Sequence, residues 1–162
     1  MNNDLLVRLF EHNNWANAKI IEACIDLSDE QLDAEPQSAV KGNIRTTLIH
    51  FITAQRSYLT ALTLPPGQGS ITQLALNDLK ESAQKSGEGL LALAKDDQEP
   101  LQDLTHIRDD FNVEPWMIMV QAIHHAAEHR EQIKSMLSAL GITPPEIDGW
   151  DFGAEISSLA SR

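Results

Sequence analysis

The sequence has little of several features that would direct a protein to a particular class of function. It contains one cysteine among 162 residues, so an internal disulfide is impossible and a reducing, cytoplasmic location is expected. Basic residues are scarce, with 12 Lys and Arg against 24 Asp and Glu. Binding to nucleic acid or to an acidic lipid surface needs clustered basic residues. We therefore expect no nucleic-acid partner and no membrane partner.

Long uninterrupted hydrophobic segments are also missing. The uncharged stretch at residues 57–77 is broken by the sequence PPG at 65–67, which is incompatible with a membrane-spanning helix. The opening residues, MNND, lack the basic segment and apolar core of a secretory signal. The length predicts one domain over residues 1–162, large enough to bury about 70% of the surface that its unfolded chain exposes.

Most of the chain carries the three- and four-residue spacing of apolar residues that is typical of amphipathic helices. Four long helices are predicted, at about residues 5–24, 43–63, 72–95 and 115–140. Pro115 suits the first turn of the last of these, and Gly141 is well placed to end it. Gly87 and Gly89 weaken the third helix, because each costs about 1 kcal/mol relative to alanine.

The segments between the long helices are short or polar. A single extra turn is expected near residues 28–36, and weak alternation over 104–113 predicts a short strand pair. The tail contains Trp150 and Phe152, which we expect to fold back onto the body of the protein. The predicted fold is all-α: a four-helix bundle with a short irregular or hairpin segment before the last long helix.

Three of the six histidines lie close together on the fourth long helix, at His124, His125 and His129. At about 100° per residue, His129 falls among inward apolar residues, His125 lies at the border, and His124 faces solvent. A spacing of four residues puts His125 and His129 on one face, so that two ring nitrogens can hold one metal ion. The alternative, in which each ring hydrogen-bonds to a neighbouring helix, remains open.

A metal site would need a third ligand, for which His50 in the second long helix is the best candidate. It lies close on the helical wheel to the small residues Ala54 and Ala61, which leave space for an ion. A core histidine bonded to a backbone group is the alternative. His12 and His106 have more polar surroundings and are not included.

Other polar and aromatic residues have structural interpretations. Asn13 and Asn17 interrupt an apolar stripe and either tie helices together or face the site, and we favour the structural role. Cys24 is expected to behave as a small core hydrophobe. Packing roles are expected for the three tryptophans, with a pocket wall as the alternative for the last: Trp15, Trp116 and Trp150.

One face of the fourth long helix is polar on the helical wheel, comprising Gln121, His124, Glu128, Glu131, Gln132 and Ser135. Glu128 and Glu131 are candidate acids or bases by their proximity in sequence to the histidine pair. Their predicted direction is toward solvent, so both are left out of the site.

Three segments resemble the DinB/YfiT-like superfamily of small metal-binding bundles: residues 9–17 (LFEHNNWAN), 42–50 (GNIRTTLIH) and 122–132 (AIHHAAEHREQ). The last is similar to the HxxxHRxQ helix of that family. Residues 144–153 (PPEIDGWDFG) also resemble a recurrent tail of the family.

The resemblance implies that His50, His125 and His129 coordinate one divalent metal, of which Zn, Ni, Fe and Mn are the candidates. This chain departs from the family at two positions. Gln121 stands where a further histidine is frequent, and Glu131 stands where glycine is common. Neither departure removes a ligand. Family members are frequently homodimers, so a homodimer is the expected assembly.

The resemblance further implies an enzyme that acts on a small molecule, either a metal-dependent hydrolase or a thiol-dependent transferase or isomerase with a low-molecular-weight thiol as cosubstrate. Three neutral histidines would leave the metal with open positions, as in catalytic sites. The competing hypothesis is a stress-associated, non-catalytic binding protein with a structural metal. A diiron oxidase is disfavoured because no Glu precedes a His by three residues, and the HExxH metalloprotease motif is absent.

Overall fold

The computed structural model describes residues 4–36, 42–65, 74–95, 106–108 and 111–160. Six α-helices and a two-stranded hairpin occur in these ranges. In chain order they are α1 (Asp4–Ile25), α2 (Asp29–Asp33), α3 (Ile44–Thr63), α4 (Leu79–Lys95), β1 (His106–Arg108), β2 (Phe111–Val113), α5 (Pro115–Ala139) and α6 (Gly149–Ala160). The predicted all-α bundle with a hairpin before the last long helix is confirmed.

Side chains at the helix ends explain several of the boundaries. Asn43 caps α3, because its side-chain oxygen accepts a hydrogen bond from the backbone N–H of Thr46 at 2.8 Å. Ser28 and Gln31 form a reciprocal capping box at the start of α2. After α5, Gly141 adopts a φ of 73°, a left-handed conformation that favours glycine.

The third long helix begins later than predicted. The α-helix starts at Leu79, after a single 3₁₀ turn over Leu76–Asp78, and residues 74–75 are not helical. The part of the predicted helix at 72–73 lies outside the described residues. The predicted start of this helix at Thr72 is therefore wrong for the described part. The apolar spacing continues through the 3₁₀ turn, and a helical wheel does not distinguish such a turn from α-helix.

Side-chain contacts show how α4 runs beside its neighbours. Asn14 bonds to the carbonyl of Gly87, and Lys80 pairs with Glu22, so α1 and α4 are antiparallel. By contrast, α3 and α4 run in the same direction, because Gln55 meets Ser86 and position 89 lies against Leu59.

The face that carries His50, His125 and His129 is formed where α3 packs against α5. His50 lies beside His129, whereas Tyr58, two turns later in α3, lies beside His125, one turn earlier in α5. These two helices are therefore antiparallel. The bundle interior is apolar at both ends, with Ile20, Leu48, Phe51, Ile133 and Met136 in one cluster and Phe10, Leu62, Leu90, Ile118 and Ala122 in the other.

The hairpin and the tail match the sequence in part. β1 and β2 pair antiparallel with His106 opposite Val113. Phe152 of α6 packs on Trp15, with ring centroids 5.4 Å apart. Trp150 was expected to fold back as well, but it is 87% exposed, and Trp116 is 58% exposed. The packing role is thus wrong for these two tryptophans.

Within the described ranges no helix combines the length and apolarity that crossing a membrane requires.

The two glycines inside α4 mark close helix contacts. A Cβ at Gly87 would lie 2.5 Å from Oδ1 of Asn14, and one at Gly89 would lie 2.6 Å from a methyl carbon of Leu59. Asn14 has little freedom to move, because its Nδ2 donates to the Gly87 carbonyl at 2.9 Å. The glycines that weaken the helix by propensity therefore allow α1 and α3 to approach α4 closely.

Gly87→Ala should lower the free energy of unfolding by up to about 2 kcal/mol, since overpacking costs about 1–3 kcal/mol and the gain in helix propensity offsets up to about 1. Gly153→Ala in α6 is the matched control, because a Cβ there meets nothing within 4 Å. It should be neutral or slightly stabilising. Urea denaturation of both variants measures the difference, and equal stability of the two would contradict a close contact at Gly87.

Candidate metal centre

Three histidine rings from two helices converge at the α3–α5 interface. Nε2 of His125 lies 3.2 Å from Nε2 of His50 and 3.1 Å from Nε2 of His129. The ligand atoms of all three residues lie within 4.8 Å of one another. The structure thus brings together the three residues that the sequence analysis singled out.

The separation of these nitrogens fits a shared metal ion. Two nitrogens bound tetrahedrally at about 2.0–2.1 Å from a Zn²⁺ ion lie about 3.3 Å apart, and octahedral geometry brings them slightly closer. The contacts of 3.1 and 3.2 Å match this spacing. Direct hydrogen bonds cannot satisfy the group, because Nε2 of His125 faces two nitrogens and a neutral ring carries one N–H in all.

The surroundings keep the rings of His50 and His125 neutral, as metal ligation requires. The pKa of His125 is lowered to about 4, chiefly by burial and secondarily by the neighbouring charges of His129 and His50, against a smaller opposing effect of Glu128. Burial, followed by the charge of His129, also lowers the pKa of His50. At neutral pH both rings therefore offer an unprotonated nitrogen.

The site lies at the surface of the bundle. His50 is exposed, whereas His125 and His129 are half-buried. The ring of Tyr58 stands edge-on to that of His125, with centroids 5.9 Å apart. A surface cavity of about 550 Å³ between α3 and α4 has other lining residues, including Ser82 and Lys85. Access to the three nitrogens is therefore from the exposed side of His50.

Gln132 adds a contact that the sequence analysis did not anticipate. Its Oε1 lies 2.6 Å from Nδ1 of His129. The helical wheel put Gln132 on the solvent face, but the residue is half-buried, so that assignment is wrong. The signal available in the sequence was its spacing of three residues from His129, at which helix side chains meet.

A buried polar network lies on the core side of the same helix. Arg130 is 4% exposed, and its Nη1 donates to Oδ1 of Asn13 at 2.8 Å and of Asn17 at 2.6 Å. Asn17 donates to Gln55, which in turn donates to Ser86 at 2.7 Å. The network joins α5, α1, α3 and α4, so the structural role favoured for the two asparagines is confirmed.

Arg130 has neutral oxygens as its hydrogen-bond partners in this network. Burial lowers the pKa of its guanidinium to about 10, with Glu131 opposing this effect, so the group remains charged at neutral pH. Arg130 and Gln55 received no role from the sequence, because a wheel does not show which buried polar groups meet across helices.

The remaining candidates lie away from the three histidines or face solvent. His124, Glu128 and Glu131 are exposed, as the helical wheel predicted. The surroundings of His12 are partly aromatic: its ring is tilted against that of Trp15 and edge-on to that of Phe152, and its Nε2 lies 3.0 Å from the carbonyl oxygen of Ile147. The side chain of His106 lies outside the described part of the structure.

Burial of the cysteine matches the prediction. Cys24 is 1% exposed within the apolar core. Burial raises the pKa of its thiol to about 12. The thiolate needed for nucleophilic chemistry is therefore strongly disfavoured, and Cys24 acts as a small core hydrophobe.

Comparison with known proteins gives one family assignment. The family model described as the DinB family matches residues 1–156. This range includes all three histidines, Gln132 and the buried network. A search of curated proteins finds no match to the chain.

Proposed function

The chain belongs to the DinB family, and on that premise we propose that it is a divalent-metal-dependent enzyme acting on a small molecule. The proposed ligands are His50, His125 and His129. The observation that carries the proposal is the convergence of three histidine rings from two helices, in which Nε2 of His125 lies at a metal-ligand spacing from the Nε2 atoms of both His50 and His129.

The donor set supports a catalytic site more than a closed structural one. Three neutral nitrogens leave the full positive charge on a divalent cation. Because the proposed set contains three protein ligands, at least one coordination position stays open for water or substrate. When bound, such a cation supplies Lewis-acid chemistry to a water molecule, a thiol or a carbonyl group. Zn, Ni, Fe and Mn all accept imidazole nitrogen, and cellular supply as well as affinity decides between them.

The residues around the site have separable tasks in this proposal. The half-buried His125 and His129 hold the cation from α5, and His50 holds it from α3 at the edge open to solvent. Tyr58 contributes an aromatic edge beside His125. The substrate approaches across the exposed side of His50. We propose a hydrolase or a transferase or isomerase that uses a low-molecular-weight thiol.

Activity assays separate these reactions from one another. Metal-loaded protein should hydrolyse small amides or esters, or should consume a thiol together with an electrophile, and the chelated protein should do neither. His50→Ala should also be inactive, while His124→Ala, on the solvent face of α5, should retain activity. Activity that survives both chelation and His50→Ala would contradict a metal-dependent reaction.

A non-catalytic protein with a structural metal is the second candidate, and one observation favours it. The three histidines join α3 to α5, so a bound cation would also cross-link the bundle. Metal-dependent stability with no turnover of any thiol, ester or amide substrate would support this candidate over the enzyme.

Metal removal should lower the melting temperature in either case, because a ligand that binds the native state stabilises it. At a free metal concentration about 100 times Kd the stabilisation is about 2.7 kcal/mol. For a chain of this size that corresponds to roughly 5–10 °C. Differential scanning calorimetry before and after chelation measures the shift. His124→Ala should show the same shift as the wild type, and an unchanged wild-type melting temperature would contradict metal bridging.

A homodimeric assembly, which the family resemblance implies, and a cytoplasmic location, which the single cysteine leads us to expect, stay predictions. Sedimentation equilibrium of the purified chain tests the first.

A further inference from the structure

The second ring nitrogen of His129 is held by a side chain from its own helix. Nδ1 of His129 lies 2.6 Å from Oε1 of Gln132, while Nε2 lies 3.1 Å from Nε2 of His125. An amide oxygen only accepts hydrogen bonds, so Nδ1 of His129 carries the proton and donates it. A neutral imidazole has one N–H, so Nε2 keeps its lone pair directed toward the other two rings.

The position of Gln132 in the fold makes this contact persistent. Gln132 follows His129 by three residues within α5, a spacing at which helix side chains are neighbours. Both side chains are half-buried, which limits competition from water for the Nδ1 proton. By contrast, Gln121 of the same helix is exposed.

We propose that Gln132 is a positioning residue of the metal site, which fixes the tautomer and orientation of His129 so that its Nε2 faces a divalent cation. The inference rests on the proposed metal site. An acceptor on the far nitrogen also makes the ligating nitrogen more basic, and loss of such a partner typically weakens metal binding by roughly 10- to 100-fold.

Three variants test this role by calorimetric titration with Zn²⁺ and with Ni²⁺. Gln132→Ala removes the acceptor and should weaken binding by roughly 10- to 100-fold. Gln132→Glu keeps an oxygen acceptor and adds negative charge, so its affinity should equal or exceed that of the wild type. Gln121→Ala is the matched control and should bind as the wild type does. The metal-free proteins should have similar melting temperatures, which separates positioning from a general structural role.

Nitrogen NMR of the metal-free full chain reads the tautomer directly, under conditions where the ring is neutral. In the wild type His129 should carry its proton on Nδ1, and in Gln132→Ala the Nε2–H tautomer should appear. A wild-type ring protonated on Nε2 would mean that the amide donates rather than accepts, and would overturn the inference.

The outcomes distinguish this inference from the proposed function. If the wild type binds the metal and Gln132→Ala binds it with the same affinity, the role of Gln132 is contradicted but the proposed metal site is not. Failure of the wild type to bind either metal would contradict the proposed function, and the role of Gln132 with it. Weaker binding by Gln132→Ala, with rescue by Gln132→Glu, supports both.

Discussion

Replacing Arg130 with methionine should lower the free energy of unfolding by about 2–4 kcal/mol, because two buried oxygens lose their donor. These oxygens are Oδ1 of Asn13 and of Asn17, which now accept from Nη1 at 2.8 and 2.6 Å. Two effects offset part of this loss. The methionine side chain buries apolar surface, and removal of the buried guanidinium also removes its desolvation cost. Chemical denaturation monitored by circular dichroism measures the change.

Arg8→Met is the matched control for this variant. Arg8 also donates through Nη1 to a side-chain oxygen, that of the Glu11 carboxylate, but its side chain is 65% exposed, so the substitution should change stability by no more than about 0.5 kcal/mol. Adding Asn13→Leu to Arg130→Met should restore part of the stability, because it removes one of the two oxygens that Arg130→Met leaves without a donor. A loss as small as that of the control would contradict a network essential to the core.

His125→Ala should weaken binding of Zn²⁺ or Ni²⁺ by at least about 100-fold, because loss of a group that merely supports a ligand already costs roughly 10- to 100-fold. His125 is the central ring, since its Nε2 contacts those of both other histidines. Calorimetric titration measures the affinity.

His124→Ala provides a control at the adjacent position. His124 belongs to the same helix but is exposed, and its loss should leave the affinity unchanged. A reduction shared equally by the two variants would indicate a general effect on α5, and wild-type affinity in His125→Ala would contradict the site.

The long helices and the histidine triad follow from local patterns in the sequence. Asn43 before α3 and Pro115 and Gly141 around α5 are signals that a few neighbouring residues supply. The pairing of His125 with His129 depends only on helix geometry. His50 could be added because it stands near small residues on its own helix, without knowledge of which helices pack together.

What the sequence left undetermined depends on contacts between distant residues. A helical wheel gives the direction of a Cβ, but the long side chain of Gln132 bends back to His129. Similarly, the amides of Asn17 and Gln55 meet only because α1 and α3 are adjacent in the core. Gly87 was interpreted as a weakness of α4, whereas its role is to admit Asn14.

The C-terminal tail is a second case in which burial depends on contacts that the sequence does not predict. Phe152 packs against Trp15 and so folds back onto the body of the protein, as expected. However, α6 has no buried residue, and Trp150 is almost fully exposed. Aromatic composition predicted burial at both positions, because large apolar side chains are most often inside. The side of α6 that faces α1 makes tertiary contacts such as Phe152 with Trp15 and Glu155 with Lys19, which local sequence does not show.

The most direct test of the account is anomalous diffraction from crystals of the protein loaded with Zn²⁺. We expect one anomalous peak per chain, about 2.0–2.1 Å from the Nε2 atoms of His50, His125 and His129. A peak bound by residues elsewhere, or by only one of the two helices, would contradict the convergence of α3 and α5 on a single cation.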